Sequence, residues 1–303
     1  MGTVARRAYA GSVSAGTVEA ASGERPEGRT EGAVRRPSAP LRPYLGAYQG
    51  YRLRGYPAGE HLGMPAPSLT VILALDPPLD IARAARPDQK PDTYASVASG
   101  ITTTSVVIRH DGNQHGIQLE LTPLGARALL GVPAAALGQW LVGLDDVIGA
   151  DAEELTGRLL SEPSWDGRFD ILDEVLTRRV REVAADRAMM QAWRRLLADG
   201  TARVGDVADE LGWSRRHLTG RFSAEYGITP KDAVRLGRFH RSLRVLRRPG
   251  PPPLSEVAHA CGYYDQAHMT RDWTDLGGTT PTRWLRDEVF PFVQDDEGLS
   301  GGE

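Results

Sequence analysis

The chain has 303 residues, 41% of them hydrophobic and 25% charged, with a single cysteine and a net charge of −3. That length suits two domains of ordinary size, and one cysteine excludes an intrachain disulfide or a cysteine-rich zinc site. The longest apolar run, LTVILAL from Leu69 to Leu75, is too short to span a bilayer, and the N-terminus lacks the apolar core of a secretory signal, so a cytoplasmic protein with no membrane partner is expected.

Residues 1–40 contain no Leu, Ile, Phe or Trp, so they bury too little apolar surface to offset their ordering entropy and read as a disordered segment. From Leu41 to Thr122 short runs rich in Val, Ile and Thr alternate with Pro and Asp-Gly breaks, the pattern of strands and hairpins, with Asp111-Gly112 as the clearest turn. Tyr44, Tyr48 and Tyr51 could line a ligand pocket or, spaced i, i+4 and i+7, form one packed helical face, and packing is the favoured reading. His110, His115 and Glu120 are the residues there that could ligate a metal, but five positions between His115 and Glu120 put them on opposite faces of a strand, and His110 and His115, flanking the DGNQ turn, read more simply as an exposed cross-strand pair. At Thr122-Pro123 a capping residue precedes a proline and a helix follows, then two more near 152–160 and 168–184. In the last of these Leu172, Val175, Leu176 and Val183 recur near helical spacing.

From Arg187 onward every segment is helical in period, beginning with a face of Met190, Trp193, Leu196 and Leu197. This block, 187–288, holds 17 basic residues against 12 acidic ones, whereas 1–186 holds 19 against 23. A basic block on an otherwise acidic chain points to a polyanionic partner for that block. Within it the phrase DVADELGWSRRH, from Asp206 to His217, returns as EVAHACGYYDQAH, from Glu256 to His268, with Tyr264 inserted. Each copy encodes a helix, a sharp turn at Gly212 or Gly262, an N-cap at Ser214 or Asp265, and a second helix. Leu218 and Phe222, or Met269 and Trp273, are i and i+4 and share the buried face. That leaves Arg215, Arg216 and Thr219 outward in one copy, and Gln266, Thr270 and Arg271 in the other. Arginine can pair with guanine in bidentate fashion, and glutamine can do so with adenine. A helix of about 25 Å between the copies, 231–247, would set the two reading helices near one turn of DNA apart. Its arginines are expected to be mostly solvated, a subset touching phosphates, and Cys261, matching Leu211, to be packed in the core.

VADELGWSRRHLTGRF, YGITPKDAV, LSEVAHACGYYDQAHMTRDW and the closing TPTRW resemble the DNA-binding domain of AraC/XylS-type bacterial transcription regulators. The resemblance implies an all-α domain with two helix-turn-helix units on promoter DNA, with Arg215, Arg216, Thr219 and Gly220 on the first reading helix and Gln266, Ala267, Thr270 and Arg271 on the second. Gly220 and Ala267 depart from the longer polar residues common there. Residues 41–186, through GIQLELTPLGARALLGVP, resemble the sensor or dimerisation domain of such regulators, a cupin-like β-rich fold followed by helices. The expectation is a multi-domain chain: 1–40 disordered, 41–186 an α+β effector domain, 187–288 the DNA-binding domain, and 289–303 an acidic tail. Its partners would be double-stranded promoter DNA, RNA polymerase, a small-molecule effector and a second copy of the chain. No cofactor is called for. The alternative is a cupin-type metal enzyme with an appended DNA-binding domain, although no nucleophile elbow, phosphate-binding loop or HExxH occurs.

Overall fold

The computed structural model describes residues 28–198 and 200–287. Its N-terminal half is β-rich. Strands β1 (Arg29–Arg35), β2 (Tyr48–Arg54), β4 (Leu69–Ala74), β7 (Ser96–Ser99), β9 (Gln114–Leu121) and β10 (Leu141–Gly143) form a six-stranded antiparallel sheet in the order β1-β2-β9-β4-β7-β10. Strands β3 (Gly59–Gly63), β5 (Leu79–Arg83), β6 (Asp92–Tyr94) and β8 (Val106–His110) form a second sheet, ordered β3-β8-β5-β6. The short helices α1 (Pro123–Gly125), α2 (Ala134–Leu137) and α3 (Leu144–Ile148) lead to α4 (Ala150–Ser161) and α5 (Trp165–Arg179).

The larger sheet is covered on both faces, which is why LTVILA reads as a continuous apolar run. Leu69, Val71 and Leu73 point outward and share a core with Leu155 and Leu159 of α4 and with Phe169 and Leu172 of α5. Thr70 and Ile72 point the other way, toward the second sheet. Among the described residues no strand pair joins the two sheets, so they face each other as layers.

Several local expectations need correction. Residues 29–35 are ordered as β1: an edge strand needs only the backbone ladder to β2, and Arg35 ties it down through Asp170 at 2.7 Å and Asp173 at 3.1 Å. Residues 1–27 and 288–303, including the expected acidic tail, lie outside the described residues. Asp111-Gly112 closes no hairpin; it carries the chain from β8 in one sheet to β9 in the other, with Gly112 at φ +100° beneath the Tyr56 carbonyl. Tyr48 and Tyr51 are on strand β2, pointing to opposite faces, so the tyrosines form no helical stripe. Helix α5 starts after the Ser164 cap and stops at Arg179, because the Arg181 amide turns away to the Ala128 carbonyl at 3.0 Å; Val183 is thus outside it. His110 and His115 do not pair across a turn. His110 lies against His61, with ring centroids 5.4 Å apart, whereas His115 is buried beside Arg168 at 3.1 Å. Arg168 itself is only 6% exposed and donates to the Leu159 carbonyl.

Burial first, then Arg52, Arg168 and Arg54, lower the His115 pKa to about 4 from its ordinary 6.5. An unfolded chain therefore takes up a proton below about pH 6.5 that the folded chain refuses until about pH 4, so stability falls across that window as pH drops. His115→Gln is expected to make the decline of melting temperature across that range shallower; an unchanged slope would show that His115 is not a source of it.

The C-terminal half is all helix: α6 (Arg187–Ala198), α7 (Val204–Glu210), α8 (Arg215–Tyr226), α9 (Pro230–Arg247), α10 (Leu254–Ala260), α11 (Gln266–Gly277) and α12 (Pro281–Asp287). In α6 the buried face is Met189, Ala192 and Leu196, one position round from the expected stripe, with Met190 and Trp193 half-buried. No helix among the described residues is long and apolar enough to cross a membrane.

Candidate nucleic-acid interface

The two phrases fold into the same local structure, bond for bond. In the first, the Trp213 amide donates to the Ala208 carbonyl at 2.8 Å across Gly212, which sits at φ +67°. In the second, the Tyr263 amide donates to Ala258 at 2.9 Å across Gly262, at φ +84°. Ser214 Oγ accepts from the His217 amide at 3.2 Å, and Asp265 Oδ1 accepts from that of His268 at 2.7 Å, so each second helix starts with a filled cap. The ring of His217 meets Trp213 edge-on at 4.7 Å, as that of His268 meets Tyr263 at 5.3 Å. Each second helix ends on a left-handed glycine, Gly227 or Gly278, followed by a Thr-Pro start to the next helix.

Only glycine adopts the Gly262 conformation without strain, and a side chain there would also crowd Gly200. Gly262→Val is expected to cost about 1–2 kcal/mol or more. An unaltered melting temperature would refute this role for the turn.

The buried face of each unit holds Leu218 and Phe222, or Met269 and Trp273, all fully buried. The opposite face is open: Ser214, Arg215, Arg216 and Gly220 are exposed on α8 and Thr219 is half-exposed. On α11, Asp265, Gln266, Ala267 and Arg271 are exposed and Thr270 is half-exposed, its hydroxyl donating to the Gln266 carbonyl at 2.9 Å. Arg215, Arg216 and Arg271 form no ion pair among the described residues, whereas Arg221 is held by Asp186 at 2.6 Å. Unpaired guanidinium groups beside a helix start are what phosphate and base edges require.

Sequence reasoning missed two features. Tyr264, the residue inserted in the second phrase, is 91% exposed immediately before the α11 cap. The mismatch in repeat length was its signal. The linker arginines are also not mostly solvated. Arg235 and Arg238 bind the buried Asp272 of α11 at 2.9 and 3.2 Å, and Arg241 donates to the Leu197 carbonyl at 2.6 Å. Asp272 directly precedes Trp273 and is three residues after Met269, both on the buried face, and that position was the available clue. Cys261 lies buried in the second unit, where burial raises its thiol pKa.

The structure does not bring His110, His115 and Glu120 together, and among the described residues no group of three could hold a metal ion.

This arrangement is that of a DNA-binding domain with two helix-turn-helix units. The family model described as a helix-turn-helix domain matches residues 207–287. An uncharacterised helix-turn-helix transcriptional regulator of Bacillus subtilis, YbfI, is 32% identical over 66 residues, which is 22% of this chain and 23% of that protein. The alignment thus spans less than a quarter of the curated relative's length. ToxT of Vibrio cholerae is similar in fold: its apo variant gives a TM-score of 0.51 at 11% identity, covering 83% of this chain and 99% of that one. The fatty-acid-bound wild type gives 0.51 at 12% identity, covering 83% and 96%. The C-terminal part of this chain is a helix-turn-helix domain joined to a β-rich N-terminal domain, a two-domain fold similar to that of ToxT.

Proposed function

We propose that the protein is a sequence-specific transcription regulator of the cytoplasm, whose two second helices enter successive major-groove segments of promoter DNA. The observation that carries this is the pair of identically capped helices, each with unpaired polar side chains on its open face. Arg215, Arg216, Gln266 and Arg271 are the base or phosphate contacts in this reading, and Ser214, Thr219, Gly220, Asp265, Ala267 and Thr270 complete the two surfaces. Helix α9, with 18 residues, is a rod of about 27 Å, close to the repeat of a DNA turn of about 34 Å once the flanking units are added. We divide the chain at residue 187, the start of α6. The facing sheets before it serve as a cupin-like sensor, with the cavity between them as the effector site. Binding of an unsaturated fatty acid by ToxT, of similar fold, supports small-molecule control. RNA polymerase contact and a homodimer follow from the family resemblance.

The test is selection by the full chain from fragments of its own genome at two salt concentrations. Specific fragments should survive the higher salt, while random DNA is lost steeply. Binding that vanishes with salt and prefers no fragment would refute the reading.

A further inference from the structure

The cavity between the two sheets has a volume of about 90 Å³. At about 10–15 Å³ per water, that holds on the order of six to nine non-hydrogen atoms. Its walls are apolar, with Leu53, Ile72, Ile81, Val97 and Ile108 among them, and among the described residues no Asp, Glu, Lys or Arg lines it. What polarity there is comes from neutral groups. Gln118 and Ser68 line the cavity, and the buried Gln118 Nε2 and Ser68 Oγ have no hydrogen-bond partner among the described residues. Buried polar atoms of that kind cost stability unless something fills them. Burial, and then the nearby His110, hold His61 neutral, with its pKa lowered to about 3. An ion entering would lose its hydration and meet no counter-charge.

One wall of the cavity is shared with the second helix-turn-helix unit. Met64 lines the cavity and also belongs to the core formed by Phe239, Trp273, Leu276 and Trp284. A carbon added at Gly277 of α11 would lie 3.4 Å from Met64 Sδ. Thr102 and Val106, also in the lining, flank the buried Ser105, whose amide donates to the Leu276 carbonyl at 2.9 Å. The first unit meets the N-terminal domain elsewhere, through the Arg127–Glu225 pair at 2.6 Å and Gly227 against Ala135.

We infer that this cavity takes a small uncharged molecule with an apolar body and a hydrogen-bonding group, and that Met64 and Ser105 pass its occupancy to α11 rather than to α8. The inference rests on the proposed effector site. An anion such as a fatty acid is the wrong class for it. Three probes of one shape and three charges test this on the full chain: benzamide, benzoate and benzamidine. Benzamide is expected to raise the melting temperature by about 2–4 °C, with the charged pair giving less than about 1 °C. It should also change amide exchange in 266–277 more than in 215–226. The cavity-filling variants Thr70→Leu and Ser99→Val should each remove the benzamide shift. Equal shifts from a charged probe, no shift from any probe, a shift that survives both fillers, or equal exchange effects in the two helices would each overturn the inference. DNA selection by the same preparation separates the two readings. Selection without a benzamide effect overturns the ligand class alone, and a benzamide effect without selection overturns the regulator.

Discussion

Asp272→Ala is expected to destabilise the protein by about 3–5 kcal/mol, the usual cost of removing one partner from a buried ion pair. The Asp272 side chain is 7% exposed and takes Arg235 at 2.9 Å and Arg238 at 3.2 Å, with His268 Nε2 at 3.9 Å. Without it, two guanidinium groups on α9 lose the carboxylate that offsets their desolvation, although Arg235 keeps Asp275 at 2.8 Å. The pair also fastens α11 to the rod that follows α8, and so fixes the relative placement of the two helices proposed to read DNA. Urea denaturation reads the loss. Asp272→Asn, which retains hydrogen-bond acceptance, should lose less. A midpoint close to wild type for Asp272→Ala would mean that the Phe239–Trp273–Trp284 cluster holds α11 without the ion pair.

Arg271→Ala should weaken binding to a selected operator by about 1–3 kcal/mol, while leaving the melting temperature near that of the wild type. Arg271 is exposed on α11, one position from the buried Asp272 and two from the core residue Trp273. Its side chain spends nothing on the fold among the described residues, so its loss is felt only when DNA is present. Competition with random DNA distinguishes base reading from phosphate contact. A base contact loses affinity for the operator selectively; a phosphate contact loses it uniformly, with a shallower salt dependence. Equal losses on both would remove Arg271 from the base-reading set.

The helix-turn-helix units were legible in the sequence because their determinants are local. Gly212 and Gly262 mark the turns, Ser214 and Asp265 the caps, and the i, i+4 pairs the buried faces, all between Asp206 and Phe222 or between Glu256 and Trp273. The N-terminal half was less legible, since its determinants are not local. Whether Asp111-Gly112 folds back as a hairpin or crosses between sheets depends on which strands neighbour β8 and β9, and the turn itself does not encode that. β1 was invisible because RTEGAVR is held by a backbone ladder and by Arg35, rather than by apolar burial. The linker arginines illustrate the same limit: their spacing round α9 suggests solvation, and only the packing of α11 shows that Asp272 meets two of them.

The most direct test of the account is the phase of the two half-sites. With an operator selected by the full chain, insertion of five base pairs between the segments read by α8 and α11 turns one of them to the far side of the duplex. Because α9 is a continuous rod with no glycine turn or proline after Pro230, the two helices cannot follow. Affinity should fall by about tenfold or more, the value of at least one well-made base contact. Undiminished binding to the respaced operator would contradict the claim that both helices read one face of the same DNA.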